Sequence, residues 1–276
     1  MRTEKEFIKY LQSFYKENKR ANLPWRKNRD PYHILLSEIM LQQTQVARVL
    51  VKYKEFLEKF STIQSLADAP LRDVLTLWQG LGYNRRAKFL HQAAQIIAKA
   101  TKKDFSSYEF WNSIPGVGQS TAGAVLAFTQ NKPVVFIETN IRAIILHHFF
   151  KDSENIDDKD VRKVLEKLIS LLPADFGPRD FYYAMYDYGT YLKTSLGKNK
   201  KELHKKSKHY SKQSKFEGSR RQLRAFILKT FLEMGGRLKP SILEQKVLKS
   251  KPDSGADLGP EDVKSLISQL KDEGFF

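Results

Sequence analysis

The chain has 276 residues, with 48 lysines and arginines against 31 acidic residues, a formal charge of +17 and no cysteine. This length accommodates two helix-rich domains and a small appendage. The missing thiols exclude disulfides, thiolate nucleophiles and cysteine-bound zinc or iron–sulfur clusters within this sequence. The cationic excess calls for a polyanion, with DNA or RNA ahead of an anionic membrane surface, because no apolar run approaches the ~20 residues that span a bilayer.

Residues 5–19 read as an amphipathic helix with Phe7, Ile8, Leu11, Phe14 and Tyr15 on one face, and nothing there resembles a signal peptide. Leu23 to Arg26 read as a short extended entry, after which Asp30 before Pro31 is placed to cap a helix running to about Val49. That helix carries Glu38 beside the apolar residues Ile34 and Leu41. Desolvation there favours the protonated carboxyl, which suits a general acid. Gln42 and Gln43 follow on the same predicted helix and have the amide groups that bond nucleobase edges.

Three further helical patterns over 50–100 are separated at Ser61–Thr62, Asp68–Pro70 and Gly80–Gly82. The last break sets Tyr83, Arg85 and Arg86 at a helix start, where an aromatic can stack on a base and arginines can grip phosphate. Ile114 to Val125 then read IPGVGQSTAGAV, a glycine turn between two helices. Gly116 and Gly118 tolerate φ > 0, Val117 can plug the turn into a core, and the small residues from Ser120 leave a helix N-terminus open to a phosphate.

The apolar run Val134–Ile137 carries Glu138 inward to the start of a helix over 141–149, capped by Thr139 or Asn140. The helix dipole there favours an ionised carboxylate. Helices follow over 159–172 and 178–192, the second bearing Phe181, Tyr182, Tyr183, Met185 and Tyr188 and interrupted by Asp187 and Gly189. A lysine-rich stretch from Lys193 reads as a mobile basic linker, and three helical patterns at 220–233, 240–249 and 261–273 read as a winged-helix-like tail. The predicted fold is all-α.

The segments LPWRKNRDPYHILLSEIMLQQTQV, LWQGLGYNRRAKFLHQAA, IPGVGQSTAGAVLAF and IETNIR, spread over residues 20–192, resemble in order and spacing the helix-hairpin-helix DNA glycosylases, above all those of MutY type. The resemblance implies an all-α, two-lobed fold that binds duplex DNA and flips the target nucleotide out. Its lobes would be 1–30 with 136–192, and 31–135 with the hairpin at 114–123, followed by a basic linker at 193–218 and the tail at 219–276. Glu38 matches the family's acid, which protonates the adenine ring nitrogen and then handles the attacking water. Glu138 matches an aspartate that stabilises the oxocarbenium-like sugar. Gln42, Gln43, Tyr83, Arg86, Gly116, Gly118, Gln119, Ser120, Asn140 and Arg142 fall at DNA-contacting motif positions, and a monovalent cation at the hairpin carbonyls is implied.

Four features qualify what the resemblance implies, the last three of them departures from the family. Ser120 occupies the place of the lyase-type lysine, and a hydroxyl forms no Schiff base, so simple hydrolysis is expected. Glu138 is one methylene longer than the family's Asp. The four cysteines of the usual iron–sulfur cluster give way to lysines, so no cluster is expected, and the tail lacks the pattern of the Nudix-like domain that reads 8-oxoguanine. The expected substrate is a mispaired adenine opposite G or 8-oxoguanine in double-stranded DNA. The alternatives are thymine or uracil excision and mismatch binding without catalysis. A monomer is expected, located in the cytoplasm at the nucleoid.

Overall fold

The computed structural model describes residues 3–101, 104–197, 200–210, 214–236, 238–250 and 259–276, all helix, turn and loop apart from one isolated bridge. Residues 198–199 and 211–213 of the lysine run, and 251–258 of the tail, lie outside the described residues. Helix α1 (Glu4–Asn18) opens with a capping box in which Thr3 Oγ1 accepts from the Glu6 N–H and the Glu6 carboxylate accepts from the Thr3 N–H. It buries Phe7, Ile8 and Leu11. Pro24–Arg26 form a 3-10 turn where an extended entry was expected.

Asp30 caps α2 (Pro31–Leu41) through the Tyr32 N–H at 2.8 Å. The helix stops there instead of running to Val49, and the chain turns through Gln43 at φ +54° before α3 (Val46–Lys59). Helices α4 (Ile63–Ala67), α5 (Leu71–Trp78) and α6 (Arg85–Ile97) follow, separated at the three predicted breaks. Then come α7 (Tyr108–Ser113), α8 (Gln119–Gln130), α9 (Thr139–Phe149), α10 (Asp158–Ser170) and α11 (Pro178–Leu196). Helix α12 (Lys200–Lys205) precedes α13 (Arg220–Glu233), α14 (Pro240–Ser250) and α15 (Pro260–Asp272), the three helices predicted for the tail.

The chain divides into two units, Met1–Glu38 with Thr101–Lys212, and Ile39–Ala100 with Gln213–Phe276. This division differs from the lobes expected from the sequence, for the hairpin segment belongs with the first unit. Helix α8 packs on α11 there, with Phe128 stacked on Tyr183 at a ring separation of 4.2 Å. Gly123 makes room for the strand-like segment that follows, since a Cβ there would stand 2.7 Å from Phe136 Cβ. In the second unit α4 and α5 pack on α6, and the tail helices pack on one another.

Two further expectations change. Helix α11 runs unbroken through Asp187 and Gly189. Gly189 is demanded by packing: a Cβ would lie 2.6 Å from Asn140 Cβ on α9. Part of the lysine run is ordered: α12 buries Leu203, and Ile156 exchanges backbone hydrogen bonds with Lys206 and Lys208. Among the described residues no helix is long and apolar enough to cross a membrane.

Candidate active site

Two carboxyls are brought together in the first unit. Glu38 is carried by α2, whose neighbours Ile34, Leu35 and Leu36 are buried. Glu138 arrives on the extended segment 134–137, which α11 grips: Tyr182 Oη donates to the Val134 carbonyl at 2.7 Å, and Phe136 stacks on the Tyr182 ring at 4.0 Å. Glu138 is itself the N-cap of α9, a role expected of Thr139 or Asn140. Its Oε1 accepts from the N–H groups of Asn140 and Ile141 at 2.8 and 2.9 Å.

Burial lifts the Glu38 pKa to about 8, and the nearby Glu138 charge adds to the rise. Two groups oppose it: a long hydrogen bond of 3.4 Å from Tyr186 Oη, and the Arg26 charge. Glu138 is also pushed up by burial, where the helix terminus was expected to hold it ionised. Desolvation outweighs the two N–H donors and the charges of Lys193 and Arg142. Glu138 nevertheless has the donors that Glu38 lacks, so of the coupled pair Glu38 retains the proton and Glu138 loses it first.

Tyr186 is a site residue that the sequence alone does not single out. Spacing along α11 gave no reason to separate it from the tyrosines of the core, and its partner lies 148 positions away. Its ring meets Phe128 edge-on at 5.6 Å, and the two carboxyls raise its hydroxyl pKa further after burial.

Next to it, Asp187 is 4% exposed and takes Arg26 in a fork at 2.7 and 2.8 Å, together with Arg20. Those hydrogen bonds and charges hold its pKa below the ordinary carboxylate value despite burial. The Arg26 guanidinium also lies over the Tyr183 ring at 4.5 Å. Asn140 packs its Cβ on Gly189, at the start of α9. Arg142, predicted at a DNA contact, forms a bidentate pair with Asp158 at 2.7 Å in both bonds.

The hairpin is also in the first unit. Gly116 has φ +79°, and Val117 is buried with its N–H on the Ile114 carbonyl at 3.0 Å. Gly118 departs from expectation, for it sits at φ −82° in extended backbone as the N-cap of α8, with no side chain capping that end. Gln119 is exposed and Ser120 half-buried at the first turn.

Gln42, Gln43, Tyr83 and Arg86 fall in the second unit, around the turn that ends α2. Arg86 does not present a free guanidinium to phosphate. It is 8% exposed and donates to the carbonyls of Ile39, Met40, Gln42, Leu81 and Gly82 and to Thr44 Oγ1, at 2.6 to 3.1 Å. The carbonyls freed where α2 stops are thus collected by one fork. Gln43 is exposed on this turn, off the helix, and Tyr83 is exposed at φ +49°.

Residues 36–171 match the HhH-GPD superfamily of base excision DNA repair proteins. An adenine DNA glycosylase of Buchnera aphidicola subsp. Baizongia pistaciae is 35% identical over 187 residues, 67% of this chain and 52% of the relative. That of Mycobacterium tuberculosis (strain H37Rv) is 39% identical over 137 residues, covering 49% of this chain and 45% of the relative. The chain spans about half the length of the curated relatives it matches. Among solved structures, a thermostable thymine-DNA glycosylase shares the fold with TM-score 0.60 at 23% identity, over 75% of this chain and 96% of that one. A non-covalent endonuclease III–DNA complex gives 0.53 at 19% identity, over 67% and 86%.

Proposed function

We propose that this chain, which belongs to the HhH-GPD superfamily of base excision DNA repair proteins, hydrolyses the N-glycosidic bond of a mispaired adenine flipped out of duplex DNA. The observation that carries the reading is Glu38, a desolvated carboxyl with a pKa lifted to about 8 beside a second carboxyl. Adenine is a poor leaving group as an anion. Glu38 gives its proton to a ring nitrogen, the bond from C1′ to N9 breaks with its electron pair going to the base, and adenine leaves neutral. The sugar cation that forms is stabilised by the Glu138 carboxylate, and water adds at C1′ with its proton passing to Glu38. Two acids driven to different protonation states suit an acid paired with an electrostatic stabiliser.

Ser120 at the start of α8 supports hydrolysis without strand cleavage, since a hydroxyl has no amine with which to trap the sugar aldehyde. The uncapped N-terminus of α8 beside the Gly116 turn is suited to a backbone phosphate. A monovalent cation held by backbone carbonyls of the Pro115–Gly118 turn, where no carboxylate is present, belongs to the same proposal. The relatives named adenine DNA glycosylase support adenine as the base.

The test is single-turnover cleavage of labelled duplexes carrying A·G, A·8-oxoguanine, A·C, G·T and G·U, read before and after hot alkali. Product from the adenine strand only after alkali is expected, and Glu38→Gln should lower that rate by about 10²- to 10⁴-fold while DNA binding persists. Product from G·T or G·U alone would replace the reading with pyrimidine excision. Binding without product on any duplex would replace it with mismatch recognition.

A further inference from the structure

Helix α11 sets Tyr182 and Tyr186 one turn apart, so the two share a face of the helix. Tyr182 directs its hydroxyl to the Val134 carbonyl, in the segment that carries Glu138. Tyr186 is braced in a different way. Phe128 of α8, buried and stacked on Tyr183, meets the Tyr186 ring edge-on at 5.6 Å. With its ring leaning on that wall, Tyr186 donates its hydroxyl to one oxygen of Glu38, Oε2, at 3.4 Å.

Tyr186, Glu38 and Glu138 are each half-buried, screened from water yet within reach of a ligand. The titratable groups facing Tyr186 are Glu38 on α2, Glu138 at the start of α9, and Tyr182 and Tyr183 on α11 itself. Arg26 faces Glu38 from the turn before α2. Burial and then the two carboxyls push the Tyr186 hydroxyl well above its ordinary value, so it remains a donor throughout the titration of Glu38. A protonated carboxyl has one oxygen that carries the proton and one that accepts. A donor placed on Oε2 makes Oε2 the accepting oxygen and leaves the proton on Oε1.

We propose that Tyr186 distinguishes the two oxygens of Glu38: by donating to Oε2 it keeps the transferable proton on Oε1, the oxygen that serves both proton transfers. In the first transfer the Oε1–H bond breaks as an N–H bond forms on the adenine ring, and negative charge falls on Glu38. The Tyr186 bond then tightens, since a hydroxyl donating to a carboxylate comes closer than one donating to a neutral acid. In the second, the attacking water bonds to C1′ and its proton passes to Oε1, which restores the acid and leaves a neutral sugar. Tyr186 is a positioning residue, since it acts through Glu38, and the inference rests on the excision reading given above.

The test is single-turnover release of adenine from an A·G duplex by the full chain, followed from about pH 5 to about pH 10. Tyr186→Phe keeps the ring against Phe128 and removes the donor. It is expected to slow release about tenfold and to move the alkaline midpoint, near pH 8 in the parent, upward by about one pH unit. A fluorinated tyrosine at 186, a stronger donor on the same ring, should move the midpoint downward. A slower rate with an unmoved midpoint in both variants is what a merely structural role gives, and it would overturn the assignment. Thermal melting checks that each variant is folded.

Infrared difference spectra taken without DNA on either side of the midpoint read the same bond without chemistry. The C=O band of protonated Glu38, identified by its loss in Glu38→Gln, should rise in frequency in Tyr186→Phe because Oε2 loses its donor. An unmoved band would overturn the pairing even where the parent excises adenine. If the parent releases no adenine from any duplex, the excision reading fails and takes the proton transfers with it, whatever the band shows.

Discussion

Two desolvated carboxyls in the first unit have opposite surroundings. Asp187 on α11 receives the Arg26 fork and the Arg20 backbone and side chain, and its pKa is held down. Glu38 receives one long hydrogen bond from Tyr186, the residue next to Asp187, and faces a second carboxyl; its pKa rises to about 8. Desolvation pushes both carboxyls up, and compensation decides the outcome. A desolvated charge with its donors supplied is an anchor for the fold, whereas one left short of donors keeps a proton that chemistry can use. Arg86 in the second unit is an intermediate case: six acceptors tie it to the end of α2 and to the turns that follow α2 and precede α6, yet burial lowers its pKa to about 10 and its Nε is left without a partner among the described residues.

The largest expected effect breaks the compensated member. Asp187→Ala strands Arg26, 6% exposed in its side chain, and should cost about 3–5 kcal/mol in denaturant unfolding. A loss below about 1 kcal/mol would remove the contrast with Glu38. Arg86→Lys retains the charge and loses the fork, so about 2–3 kcal/mol should disappear in the same measurement.

Smaller and opposite in sign is Glu38→Gln. Because the folded pKa of Glu38 is raised, the carboxyl carries no penalty below its unfolded value near 4.5; the penalty grows as pH rises from there to about 8 and is level above it. The glutamine variant should therefore match the parent below about pH 4 and exceed it by about 1–2 kcal/mol at pH 8.5. An equal difference at both pH values would show that the carboxyl titrates normally.

Much of the helical framework was legible because it is local. Asp30 before Pro31, the breaks at Ser61–Thr62, Asp68–Pro70 and Gly80–Gly82, and the buried Val117 of the hairpin follow from caps, glycines and apolar spacing. The misses are contacts between residues distant in sequence. Nothing near Leu41 announces that α2 stops there, because the guanidinium that takes its carbonyls comes from Arg86, 46 and 47 positions on. Gly189 has the local character of a helix breaker, and only the packing of Asn140 against it accounts for its place in α11. The lysine run looked mobile because composition does not register Leu203 or the backbone pairing of Ile156. At the candidate site Glu38 and Glu138 were both visible as carboxyls on apolar ground. Tyr186 was not, and neither was the dominance of burial over the helix terminus at Glu138.

The most direct test of the account is the pH dependence of single-turnover adenine release from A·G and A·8-oxoguanine duplexes. A proton held by Glu38 predicts a rate that stays level through neutrality and falls with a midpoint near pH 8, as the acid ionises. A rate already lost by pH 6 would mean that Glu38 titrates as an ordinary carboxyl, and the central claim would be wrong.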